Sequence, residues 1–332
     1  MASAQVDGFR LAFAVGAGFA LAGAAIALVL LRVRREDAIA GATHQAGQGY
    51  SRRGRAGGWT VWKGRRDVDE ALDVKAAARG LEAQLRDQGR PQRAAGEKAY
   101  LKSDLDFYGA TVPQIRRAVK AFRSGAPNLA HDDLIGLVQA LWARPVHECR
   151  SAAITLLELY QDKLRPGDAT LIERMLRESR TWALVDDLSA SVMGPLVERC
   201  PELADTLDRW ARDDDFWLRR SALLALLLAL RRGEGDFARF GRYADAMLEE
   251  REFFIRKAIG WVLRDTASKR PTLVADWLRS RTQRVSGLTL RAAVKPLPAE
   301  TRDQLLAGRE AARRRGRGAA GRLSGAGRTD AG

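Results

Sequence analysis

The 332-residue chain has only two cysteines, Cys149 and Cys200, and three histidines. Both cysteines sit inside apolar helical patterns, so a disulfide framework is not the source of stability and a reducing compartment fits. The histidines assemble no metal site. His44 lies in a low-complexity stretch, and His147 and Cys149 are two apart on a predicted helix, pointing to different faces. No metal site is therefore expected. Also missing, between residues 97 and 295, is any run of alternating apolar and polar residues, which excludes a strand-built core.

What the chain does carry is positive charge, unevenly spread. The formal net charge is +15 and the sequence pI is near 10.5. Residues 97–308 hold 34 Lys and Arg against 30 Asp and Glu, whereas residues 1–96 contribute +6 and residues 309–332 contribute +5. A polyanionic partner fits this balance, because each cation placed on a phosphate releases condensed counterions. Basic tails bind nucleic acid and acidic membranes alike, so charge alone does not choose between them.

The ends read differently from the middle. Leu11 to Leu31 contains no charged residue and is followed at once by Arg32, Arg34 and Arg35. That is the length and flank of a single membrane-spanning helix with the rest of the chain on the cytoplasmic side. The run is also rich in Ala and Gly, and 36–66 resembles unconstrained coding, so a wrongly extended start is the competing reading. The division expected is an anchor or mis-assigned start at 1–35, a basic low-complexity linker at 36–96, a helical domain at 97–295, and a helix remnant with a disordered Arg-rich tail at 296–332.

Within 97–295 apolar residues recur at helical spacing, and Pro113 and Pro271 fall at helix starts. One seven-residue pattern returns five times, beginning at Val112, Val146, Trp182, Phe216 and Phe253, at separations of 34, 36, 34 and 37 residues. That period is one helix pair of a HEAT-like solenoid, in which each repeat buries its apolar side only by stacking on its neighbours. The predicted fold is therefore all-α, a curved slab of antiparallel helix pairs with a basic concave face.

The fifth position of the pattern holds Arg116, Arg150, Asp186, Arg220 and Lys257 in turn. Equivalent residues of a solenoid line up, so a basic row suited to a phosphate backbone is expected, interrupted by one carboxylate. The alternative is a set of inter-repeat salt bridges, with Asp186 pairing to a neighbouring arginine. Trp182 lies four residues before Asp186, on the same face one turn away, and Trp261 follows the last copy. Indole faces attract cations, and a carboxylate in a partly dry site stabilises positive charge developing nearby. This set suits a cationic substrate whose bond cleavage leaves a positively charged sugar, such as a purine alkylated on a ring nitrogen.

The stretches Lys98-Ala99-Tyr100-Leu101-Lys102 to Phe107-Tyr108-Gly109, Phe216-Trp217-Leu218-Arg219-Arg220 and Phe253-Phe254-Ile255-Arg256-Lys257-Ala258-Ile259-Gly260-Trp261-Val262-Leu263-Arg264 resemble the bacterial DNA alkylation-repair glycosylases of the AlkD type. The resemblance covers about 97–295. It implies a monomeric, cytoplasmic, nucleoid-associated enzyme that cradles duplex DNA. Such an enzyme removes 3-methyladenine and 7-methylguanine without metal or cofactor and without extruding the base. It further implies Asp186 as the catalytic carboxylate, Trp182 and Trp261 as aromatic contacts to the lesion's deoxyribose, and Arg220 as a backbone contact. Tyr100 and Arg264 would join the DNA-binding surface with Arg116, Arg150 and Lys257. The family pattern Trp-Trp-Asp-x-Val-Asp is met here by Thr181-Trp182-Ala183-Leu184-Val185-Asp186, so the first Trp and first Asp are missing. Two other readings stand beside the glycosylase: a non-catalytic binder of distorted or branched DNA, and a membrane-tethered helical-repeat scaffold.

Overall fold

The structure, a computed structural model, describes residues 72–325, with side chains to residue 315. The apolar segment at 11–31, His44 and most of the linker expected at 36–96 lie outside the described residues. Among the described residues there is no strand, only an isolated bridge between Asp106 and Val146, and no helix long and apolar enough to cross a membrane.

Each copy of the seven-residue pattern opens a helix. The helices run α1 (Val74–Asp87), α2 (Pro91–Leu101), α3 (Val112–Gly125), α4 (His131–Trp142), α5 (His147–Leu159), α6 (Ala169–Ser179) and α7 (Trp182–Asp187). They continue as α8 (Gly194–Arg199), α9 (Ala204–Trp210), α10 (Phe216–Leu224), α11 (Leu227–Arg232), α12 (Phe237–Met247), α13 (Phe253–Ala267), α14 (Pro271–Arg279), α15 (Gly287–Ala293) and α16 (Ala299–Gly325). The pattern helices α3, α5, α7, α10 and α13 pack side by side in chain order, and α15 packs on α13 as a sixth member. Its first turns, Gly287-Leu288-Thr289-Leu290-Arg291-Ala292-Ala293, begin 34 residues after Phe253. Without an aromatic opening, this copy was not legible in the sequence.

Polar contacts between neighbouring repeats are separated by nearly the same 34–37 residues as the pattern itself. Tyr160 donates to the Ala126 carbonyl at 2.7 Å, Trp142 Nε1 to Glu178 at 2.6 Å and Trp210 Nε1 to Glu173 at 2.8 Å. Arg177 reaches Asp213, Arg209 reaches Glu173 and Arg281 reaches Asp245 at 2.6–2.7 Å. Such a ladder fixes the register of one helix pair on the next, while the leucines beneath it supply the burial, roughly 1.5–3 kcal/mol for each large apolar side chain. At two close approaches between helices the side chain is absent. A Cβ at Gly194 would stand 2.5 Å from the Ala225 carbonyl oxygen, and one at Gly260 would stand 3.1 Å from that of Thr289.

Two boundaries differ from the sequence reading. The domain begins before residue 97: α1 buries Ala78, Leu81 and Leu85 against α4 and α3. Its stripe is short and flanked by Ala, Gly and charged residues, so it merges with the basic stretch before it. At the other end the chain from Ala299 to Gly325 is a helix rather than a disordered tail. Ala, Arg and Glu favour helix strongly enough to carry it past Leu305, the last buried residue among the described side chains.

The loop between α2 and α3 is held by a buried carboxylate. Glu148, fully buried in the first turn of α5, accepts the backbone N–H groups of Tyr108, Gly109 and Ala110 at 3.0, 2.6 and 3.1 Å. Gly109 takes φ +84°, and a Cβ there would stand 2.2 Å from the Arg90 carbonyl oxygen, so this loop closes directly on the start of α2. Replacing Glu148 by Ala strands three buried donors and should cost on the order of 3–5 kcal/mol. Denaturant unfolding of Glu148→Ala beside the parent would check it, and a loss under about 1 kcal/mol would mean that water replaces the carboxylate.

Candidate functional site

Asp186 lies at the end of α7, which is entered through a tight turn: Arg180 adopts φ +47° and Thr181 returns to extended backbone. Thr181 is buried, and its hydroxyl finds no hydrogen-bond partner among the described residues. Beyond Asp187 the helix widens into a π-helical turn from Leu188 to Met193, an irregularity that accompanies functional positions more often than chance.

The structure joins two of the sequence-predicted residues in one interaction. Arg220, on α10, donates from Nε to Asp186 Oδ1 and from Nη2 to Oδ2, each at 2.8 Å. Its third arm donates to the Phe254 carbonyl at the start of α13. Arg220 is 4% exposed. It therefore spans three successive pattern helices and presents little of itself to an outside phosphate, the contact expected of it from the sequence. Burial pushes the Asp186 carboxyl above its ordinary value, and the hydrogen bonds and charge of Arg220 pull against that.

Trp182, one turn before Asp186, is half-buried and meets the ring of Tyr100 edge-on, with centroids 6.1 Å apart. Tyr100, on α2, is 55% exposed, so α2 brings a second aromatic to the carboxylate's neighbourhood. Trp261 belongs to a different cluster two pattern helices away. Its Nε1 donates to Asp265 at 3.1 Å, and Asp265 also receives Arg231 and Arg264 at 2.7 and 3.0 Å. Among the contacts of the described residues, none joins Trp261 or Arg264 to Asp186.

The rest of the expected basic row is largely engaged internally. Arg116 makes a bidentate pair with Glu158 at 2.7 and 2.5 Å. Arg150 donates to the Glu178 carbonyl at 2.8 Å and lies 4.7 Å from the centroid of the Trp142 ring. Lys257 remains exposed beside Phe253. Inter-repeat salt bridges thus account for Arg116 and Arg220, a backbone carbonyl takes Arg150, and Lys257 is left exposed.

Two features were not anticipated. Phe216, Trp217, Phe253 and Phe254 form a continuous aromatic group at the starts of α10 and α13, with successive centroids 4.4–5.4 Å apart. Position one of the pattern carried that signal, since it is aromatic in three of the five copies. The other is Asp187. Its side chain opens to solvent on a surface crowded by protein. That crowding, then the charges of Glu158 and Asp186, pushes its carboxyl up to about 6 from 3.8, with Arg116 opposing.

Because the folded chain holds this proton more tightly than the unfolded chain, Asp187 weakens the fold as pH rises from about 4 to about 6 and above. Asp187→Asn should therefore melt higher than the parent at pH 8, with the advantage gone near pH 4. Paired thermal melts across that range test this; an advantage independent of pH would mean that the carboxyl titrates normally.

The sequence pattern of the family described as DNA alkylation repair enzyme matches residues 81–297. Among solved structures, the chain is similar to a predicted DNA alkylation repair enzyme from Enterococcus faecalis, at 22% identity and a TM-score of 0.58, over 64% of this chain and 98% of that one. It is also similar to AlkD2 from Streptococcus mutans, at 14% identity and a TM-score of 0.50, over 68% of this chain and all of that one. At such identities the likeness concerns the fold, the HEAT-like helical array. Nothing among curated proteins matches the chain. The match over 81–297 spans well over half of the sequence, and the chain belongs to the DNA alkylation repair enzyme family.

Proposed function

We propose that this chain is a monofunctional DNA glycosylase that hydrolyses the N-glycosidic bond of alkylated purines, 3-methyladenine and 7-methylguanine, in duplex DNA. The observation that carries the reading is the Asp186 carboxylate, held by both of its oxygens one helical turn from the half-buried Trp182. An alkylated purine is cationic, so its ring nitrogen takes the glycosidic electron pair and leaves as a neutral base. Positive charge then builds on the deoxyribose, where a fixed carboxylate in a partly dry site stabilises it. Water adds to the anomeric carbon, and its proton passes by way of Asp186 to solvent.

In this scheme Arg220 is a positioning residue. Its two hydrogen bonds fix the carboxylate's rotamer and favour its ionised form against burial. Trp182 and Tyr100 present ring edges and faces to the sugar and its cationic base. Trp261, which the family resemblance assigns to the lesion's deoxyribose, lies instead with Asp265 two pattern helices away and takes no part in this scheme. A surface of half-exposed rings suits a base that stays in its stack, and no lysine stands out as a Schiff-base nucleophile for strand cleavage. The reading leaves Thr181 and Ala183, where the family carries Trp and Asp, as the positions that set lesion range.

The test is release of labelled 7-methylguanine and 3-methyladenine from methylated duplex DNA, with chelator present, by the full-length protein and two variants. Asp186→Asn should lower release about 100- to 1,000-fold while DNA affinity stays within a few-fold. Arg220→Ala should lower release with no change in the salt dependence of DNA binding, because its guanidinium faces Asp186 and not a phosphate. No release by the parent protein, with tight DNA binding kept, would make it a non-catalytic DNA binder.

A further inference from the structure

The chain's last pattern helix, α15, meets α16 at an open cleft of about 450 Å³ that is lined by arginines. Arg256 enters it from α13, Arg284 from the turn before α15, Arg291 from α15, and Arg309 and Arg313 from α16. One carboxylate, Glu249, lines it as well, and it is taken by Arg284 at 2.7 Å. The other four have no carboxylate partner among the described residues. Arg256 donates to the Glu250 carbonyl and Arg309 to that of Val285, at 2.6 and 2.9 Å.

The cations converge. The place a side chain would occupy at Gly287 lies 3.0 Å from Arg291 Nη1 and 3.5 Å from Arg309 Nη2. Burial, then the charges of Arg313 and Arg291, holds the Arg309 guanidinium below its ordinary range. Like charges gathered without a counter-charge cost stability in the free protein, and an oxyanion between them removes that cost.

Position within the array says which anion. Arg291 is the fifth residue of the sixth pattern copy, equivalent to Arg116, Arg150, Asp186, Arg220 and Lys257, and next in order after the exposed Lys257. Three helix steps of roughly 8–10 Å each separate it from Asp186, about 24–30 Å in all. Along a duplex that is about seven to nine base pairs. We propose that this cleft binds the phosphodiester backbone of the duplex flanking the lesion, about two-thirds of a turn or more from it, as a second DNA contact. The proposal rests on the reading of the chain as acting on DNA. Two of its five arginines, Arg309 and Arg313, come from α16, beyond residue 297 where the family match ends.

Arg291→Ala combined with Arg313→Ala removes two cations that make no hydrogen bond or ion pair within the described residues. Gly287→Glu instead places a carboxylate between Arg291 and Arg309, whose flexible ends can give way. Affinity is read by fluorescence anisotropy on duplexes of about 10 and about 24 base pairs, each carrying one central abasic-site analogue that fixes the register, across a salt series. Both variants of the full-length protein should bind the longer duplex about tenfold more weakly, with the salt slope lowered by about one to two, and bind the short one as the parent does. Gly287→Glu should also melt higher, which establishes that it folds. Unchanged affinity for the long duplex, or an equal loss on both lengths, would overturn the proposal. Base release is scored separately at saturating DNA. Normal release with unchanged long-duplex binding would end this inference alone, and no release with the length-dependent loss intact would end the glycosylase reading alone.

Discussion

A pair of short helices cannot close its own apolar stripe, so everything here depends on one helix pair being seated on the next. The seat is set by contacts that recur one repeat apart: Trp142 on Glu178, Tyr160 on the Ala126 carbonyl, Arg177 on Asp213, Arg281 on Asp245. The leucine-rich interior is non-directional and would tolerate sliding. Directional hydrogen bonds from Trp, Tyr and Arg select one register, and with it the line along which the fifth residues of the pattern fall. Position along the chain thereby becomes position along a surface.

The same logic produces the candidate site. Asp186 occupies a place where the neighbouring repeats carry cations, and its desolvated charge is stable only because Arg220 of the next repeat supplies both hydrogen bonds. The guanidinium continues to the Phe254 carbonyl of the repeat after that. A residue that would otherwise be a surface cation is thus turned inward. What faces outward near Asp186 is aromatic, through Trp182 and Tyr100, and acidic, through Asp187, while the exposed cations at the fifth position of the pattern lie further along at Lys257 and Arg291.

The repeat was legible because its strongest marks are backbone and size constraints that a sequence displays directly: helix-opening aromatics, Pro113, and a period near 34. Asp186 was legible as the odd residue in a basic row, and Trp182 by its spacing. The destination of each arginine was not. Whether Arg116, Arg150 or Arg220 faces a phosphate or an internal acceptor depends on groups 28 to 42 residues away, such as Glu158, the Glu178 carbonyl and Asp186, and no local pattern records that pairing. The first helix was hidden for a different reason. Ala78, Leu81 and Leu85 make a stripe three residues long, which composition swamps. Glu148 reads as an ordinary charged helix residue, yet it is the buried acceptor that closes the loop carrying α2 and Tyr100 towards the site.

Arg220 ties together three consecutive repeats at the middle of the array, whereas among the described residues the outermost helices are each held from one side only. In a chain whose units interact with nearest neighbours, fraying starts at the ends and is stopped where a single residue couples several units. Asp186, the carboxylate proposed to act on the sugar, therefore sits in the part of the array least sensitive to what happens at its termini. A change of charge or length at the ends, where the Arg-rich helix from Ala299 to Gly325 lies, therefore leaves the geometry around Asp186 in place.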